Sequence, residues 1–127
     1  MSKYKKEKRT DHTKDELILQ LEKQIEAGLW IQVIGILTEA ISYSKLLSLK
    51  EENISERKIE TGLWVQTIGQ IIETLSVSKQ VSLSDNRSIL NAQRMVILGD
   101  LLQSAGAATE AKGGIEILSE GDREFIP

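Results

Sequence analysis

Glu39, Glu73 and Glu110 occupy matching places in three similar stretches of the chain. Carboxylates at matched spacing are the raw material of a metal site or a general acid/base pair. Their surroundings argue against both. Carboxylate di-metal bundles combine such glutamates with a Glu-x-x-His motif, and the sole histidine, His12, lies near the N-terminus, outside all three stretches. The chain has no cysteine, so it has no thiolate ligand, cysteine nucleophile or disulfide, and its redox compartment is left open. Gly113-Gly114 follows a helical stretch instead of leading from a strand into one, so it lacks the arrangement that cradles phosphate. No Gly-x-Ser-x-Gly elbow or His-Glu-x-x-His pair occurs. The expectation is a protein that is not an enzyme, with no metal, cofactor or small-molecule substrate, its glutamates solvated or salt-bridged.

The stretches that carry the glutamates are the stronger signal. Gly28-Leu29-Trp30-Ile31-Gln32-Val33-Ile34-Gly35 recurs 34 residues later as Gly62-Leu63-Trp64-Val65-Gln66-Thr67-Ile68-Gly69. A third copy, from Gly99 through Gln103 and Gly106 to Glu110, is offset by a further 37 residues and has Leu101 in place of the tryptophan. Gly, Gln, Gly and Glu hold the same places in all three, and Ser42, Ser76 and Gly113 follow seven residues after each second glycine.

Helices must position these residues. Pro127 is the only proline, and Leu, Ile, Glu, Lys and Gln favour helix. Thr13 with Glu16 and Asn53 with Glu56 read as capping pairs, Ser84-Asp85-Asn86 precedes a third helix, and Gly113-Gly114 reads as its end. The expected helices are 14–50, 54–83 and 87–112, joined by links short enough to demand antiparallel neighbours. The predicted fold is an all-α, up-down-up three-helix bundle made of one repeated helical unit. Residues 1–13 form a basic flexible tail (Lys3, Lys5, Lys6, Lys8 and Arg9 against Glu7 and Asp11), 14–112 the helical domain, and 113–127 an acidic flexible tail.

Around the first helix, Gly28, Gln32, Gly35, Glu39 and Ser42 fall within a stripe from about −40° to +40°, and apolar residues cover roughly 220° of the rest. Six mid-helix glycines cost about 5–6 kcal/mol relative to alanine, comparable to the whole stability of a small domain. Close helix approach offsets such a penalty. Gly28, Gly35, Gly62, Gly69, Gly99 and Gly106 are therefore assigned to helix contact, Gln32, Gln66 and Gln103 to hydrogen bonds across it, and Trp30 and Trp64 to hydrophobic anchoring. Whether the stripes meet within one chain or between chains is open, and the plain alternative is that they face water.

The Gly-x-Trp-(Ile/Val)-Gln-x-Ile-Gly core resembles a group of short repetitive proteins from spore-forming Gram-positive bacteria that have no assigned activity. The resemblance covers the three cores and implies a bacterial cytosolic setting and a repetitive helical body.

With no apolar run near the N-terminus, the chain is expected to be cytoplasmic. The leading functional expectation is a structural or interaction protein, a homo-oligomer or the partner of another helix. The alternative is a protein that lies on an anionic membrane surface through its apolar faces and basic tail. A true membrane span is not expected, because the apolar stretch from Ala27 to Ile41 is 15 residues long and contains Gln32 and Glu39, against the ~20 required. Nucleic acid is not expected, because the helical body is acidic and carries no reader motif.

Overall fold

The computed structural model describes the backbone of residues 2–82 and 85–125 and the side chains of residues 12–82 and 85–121. It contains three helices, α1 (Ser2–Ser48), α2 (Ile54–Ser82) and α3 (Asn86–Phe125), and no strand among the described residues. The fold is all-α, and the helices run up, down and up. Hydrogen bonds from Trp30 to Ser78 and from Trp64 to Ser44 set α1 antiparallel to α2, and the approach of Gly62 to Gly106 and of Gly69 to Gly99 sets α2 antiparallel to α3. α2 lies between the other two, and among the described residues no Cα of α1 comes within 8 Å of one in α3.

The start of α2 follows the expected capping. Asn53 Oδ1 accepts from the backbone N–H of Ser55 at 2.8 Å and of Glu56 at 3.2 Å, satisfying two donors that the first turn leaves unpaired. Asp85 serves α3 in the same way, accepting from the Arg87 N–H and the Ser88 hydroxyl; Ser84, part of the expected signal, lies outside the described residues.

Two helix ends differ from expectation. α1 begins at Ser2, so Thr13 and Glu16 are interior residues and not a capping pair, and Glu16 instead meets His12 one turn earlier at 3.0 Å. Extending a formed helix through Lys-rich sequence has little of the cost of nucleating one, which is why a segment with Tyr4 as its one apolar residue is helical there. α3 continues through Gly113-Gly114 to Phe125. Its last turns lie against the start of α2: Lys58 meets Glu116 at 2.6 Å, and the Ser55 hydroxyl donates to Glu116 and Glu120. Two carboxylates at the positive end of the α2 dipole supply what the composition of 113–121 does not reveal. The Lys58 ammonium beside Glu116 holds its carboxyl below the usual carboxylate range.

The interior is small and partly polar. Among the described residues, Val33, Ala40, Leu63 and Ala92 are the buried hydrophobic ones, and the largest fully buried side chains are those of Thr67 and Thr74. The Thr67 and Thr74 hydroxyls each bond the carbonyl four residues earlier at 2.7 Å, which removes the cost of burying them. The accessible surface is correspondingly large, 9643 Å², where a folded 14.2 kDa monomer exposes roughly 6,800 Å².

α1 is also more apolar than the Ala27 to Ile41 count indicates. Within His12–Ser48, a window of 18 residues reaches mean hydropathy 1.3 with 11% of it buried, long and apolar enough by length and composition to cross a bilayer.

Candidate functional site

Two kinds of seam hold the helices together, and each is built from residues at matching places in the sequence. Along the first, between α2 and α3, glycines meet backbone to backbone. A methyl group placed on Gly62 would lie 2.5 Å from the carbonyl oxygen of Gly106, and one on Gly106 would lie 2.6 Å from that of Gly62. Gly69 and Gly99 repeat the relation at 2.6 and 2.7 Å. These distances are shorter than any side chain tolerates, so only glycine allows the two helices to run this close. Ser55 and Gly113 extend the seam at one end, where a methyl on Gly113 would sit 2.6 Å from the Ser55 carbonyl oxygen. At the other end, the buried Ser76 and Ala92 fall in the same register.

Polar bonds lock that register. Gln66 Nε2 donates to Glu110 Oε2 and Gln103 Nε2 donates to Glu73 Oε2, both at 2.5 Å. Each amide also donates to the carbonyl of the glycine four residues before it, Gly62 or Gly99. Two of the three glutamates that the sequence assigns to solvent or salt bridges, Glu73 and Glu110, are thus acceptors for the two glutamines, and Glu39 is exposed. Their surroundings differ in one respect. Burial pushes the Glu73 carboxyl up; the Gln103 amide offsets part of this, and the Asp100 carboxyl beside it adds to it. The α2 position matching Asp100 is the buried Leu63, so Glu110 has no such neighbour there.

The sign of that shift makes a prediction. A carboxyl raised in the folded state binds its proton more tightly folded than unfolded. Glu73 therefore stabilises the fold as pH falls through the raised value, and this contribution is lost as pH rises above it. Glu73→Gln keeps an acceptor for Gln103 and removes the buried charge. The melting temperature of this variant should exceed that of the parent at neutral pH and converge with it in mild acid; a constant gap across that range would refute the assignment.

The second seam joins α1 and α2 through the tryptophans. Trp64 Nε1 donates to Ser44 Oγ at 2.8 Å and Trp30 Nε1 to Ser78 Oγ at 3.3 Å, and both the tryptophans and the serines stand 34 residues apart in sequence. The register brings Ala40 level with Thr67 and Val33 level with Thr74, and all four are buried. The anchoring assigned to Trp30 and Trp64 lies here, with Trp64 half-buried and Trp30 38% exposed.

Each outer helix keeps one unused seam. On α1, nothing lies within 4 Å of where a methyl on Gly28 or Gly35 would be, and Gln32 and Glu39 are exposed. Close contact was expected at Gly28 and Gly35 as at the other four glycines, and within the chain it is absent, because α1 turns its tryptophan face to α2. On α3, the positions matching Trp30, Ser44 and Leu47 are Leu101, Ile115 and Leu118, exposed by 63%, 64% and 70%.

The sequence reading missed Ser44 and Ser78 as partners of the tryptophans, and Ser55 and Ala92 as parts of the glycine seam. Stepping seven residues back from Gly62 and Gly99 would have found the second pair. Among the described residues, no group of three or more His, Asp or Glu side chains is placed to hold a metal ion. No protein-family model matches the chain. Neither curated proteins nor solved structures supply a match.

Proposed function

We propose that this chain is a non-enzymatic structural protein that assembles with copies of itself through its helix seams. The observation that carries the reading is the unused stripe of α1. Its Gly28, Gln32, Gly35 and Glu39 are the same residue types that join α2 to α3, and they face outward. Apolar residues that α1 leaves exposed, Ile31 and Ile34 among them, support it. A bacterial cytosolic setting belongs to the same reading and rests on the resemblance of the Gly-x-Trp core.

The deciding measurement is absolute mass by light scattering after size exclusion, across a tenfold range of concentration and without detergent. A dimer or larger species is the expected result. A monomer at every concentration would end this reading.

The apolar window in α1 favours a second reading, association with a membrane. Flotation with anionic vesicles tests it, and deletion of residues 1–12 asks whether the basic segment takes part. Binding to vesicles by a chain that is monomeric in buffer would favour the membrane over self-assembly.

A further inference from the structure

We infer that two copies of this chain pair through α1, antiparallel and two-fold symmetric, with Gly28 of each copy against Gly35 of the other and Gln32 of each donating to Glu39 of the other. This rests on the self-assembly reading and gives it a partner and a register.

The α2–α3 seam is the template. On α2 the residue matching Gly28 is Gly62, and it meets Gly106, the α3 residue matching Gly35. On α3 the residue matching Gly28 is Gly99, and it meets Gly69, the α2 residue matching Gly35. The same exchange governs the polar bonds, because the glutamine of each helix donates to the glutamate of the other. In every instance a first glycine meets a second glycine and a glutamine meets a glutamate. Such a seam is self-complementary, and a helix carrying all four residues is matched by an antiparallel copy of itself. α1 carries all four.

The residues beside the stripe give independent support. Ile25 and Ile31 are 59% and 69% exposed, whereas their matches Ile59 and Val65 on α2, and Val96 and Leu102 on α3, are half-buried. The paired helices thus shelter at these positions what α1 leaves in water. The polar residues favour a second copy over a lipid surface. A bilayer would bury Gln32 and Glu39 without partners, which is costly, and a second α1 supplies both donor and acceptor. The match has one departure. Leu21 stands where α2 has Ser55 and α3 has Ala92, so the closest approach is confined to the two central glycine pairs and the helices diverge beyond them.

The test uses the full chain and the variant Gly28→Ala/Gly35→Ala. Inside one chain both methyl groups enter open space, so the variant should fold, with a melting temperature equal to or above that of the parent at concentrations where the parent is monomeric. In the pair each would strike a backbone carbonyl, so its mass at the highest concentration should fall to that of a monomer while the parent remains a dimer. A dimeric parent with an equally dimeric variant would overturn the α1 pairing and leave self-assembly standing; a monomeric parent would overturn both.

Single cysteines, clean in a chain that has none, read the register through spin-label distances. With 1.5 Å of rise per residue, antiparallel pairing about the midpoint of residues 31 and 32 separates labels at Lys45→Cys by about 40 Å along the helix axis and labels at Ile34→Cys by about 8 Å. Equal separations at the two sites would mean parallel pairing and would also overturn the inference.

Discussion

Gly62→Ala combined with Gly69→Ala should separate α2 from α3 and lower the melting temperature by on the order of 10 °C. Two effects of opposite sign compete. Alanine improves helix propensity by about 1 kcal/mol at each site. Against this, each new methyl lands 2.5 or 2.6 Å from a carbonyl oxygen of the facing helix. Overpacking commonly costs ~1–3 kcal/mol where neighbouring side chains yield, but here the obstacle is backbone within a helix, and relief requires the helices to part. Parting also stretches the bonds from Gln66 to Glu110 and from Gln103 to Glu73. The net loss for the pair should be about 2–4 kcal/mol, with the steric term winning. The same two substitutions 34 residues earlier, at Gly28 and Gly35, meet open space within the chain and should carry the opposite sign at concentrations low enough for the parent to be monomeric. A calorimetric scan of both double variants checks this, and a loss of stability in the α1 pair as large as that in the α2 pair would contradict the packing described here.

Trp64→Ala should destabilise the chain by about 3–4 kcal/mol, as expected for removing a large aromatic side chain from a packed contact. The fully buried hydrophobic residues of α1, Val33 and Ala40, are small, so the tryptophans supply the largest side chains of the α1–α2 seam. Trp30→Ala should cost roughly half as much, because the Trp30 indole is 38% exposed and its bond to Ser78 is the longer of the two. Trp64→Phe should keep most of the packing and lose about 1 kcal/mol with the bond to Ser44. Denaturant unfolding, followed by the fluorescence of the remaining tryptophan, resolves the three. Equal losses for Trp30→Ala and Trp64→Ala would mean that the two ends of the seam are packed alike.

The glycine contacts were legible in the sequence because they break a rule: a residue that weakens a helix, kept at a fixed place in each copy, must be offset by something only it permits. The same reasoning found the glutamines, since a long amide beside two glycines has the facing backbone and side chains within reach. Which helices would use the stripe was not legible. α1 and α2 carry nearly the same core, Gly28 to Gly35 and Gly62 to Gly69, yet only α2 lies between two neighbours and can use both of its faces. The bonds from Trp30 to Ser78 and from Trp64 to Ser44 were hidden because their partners are ordinary serines a full helix away in sequence. The helix ends were misread for a local reason. Gly113-Gly114 has the composition of a stop, and only the contact of Gly113 with the Ser55 carbonyl, made across 58 positions of sequence, shows why the helix passes through it.

Because the tryptophan and glycine seams alternate along the layer, parity governs what can grow from it. An even number of such helices would finish on like faces, whereas three finish on unlike ones, the glycine stripe of α1 and the Leu101 face of α3. Under the α1 pairing proposed above, the glycine stripe is matched by its own copy and not by the leucine face, so that pairing offers no head-to-tail contact from which to close a ring. Growth beyond such a pair would have to use the other free face, the Leu101 face of α3.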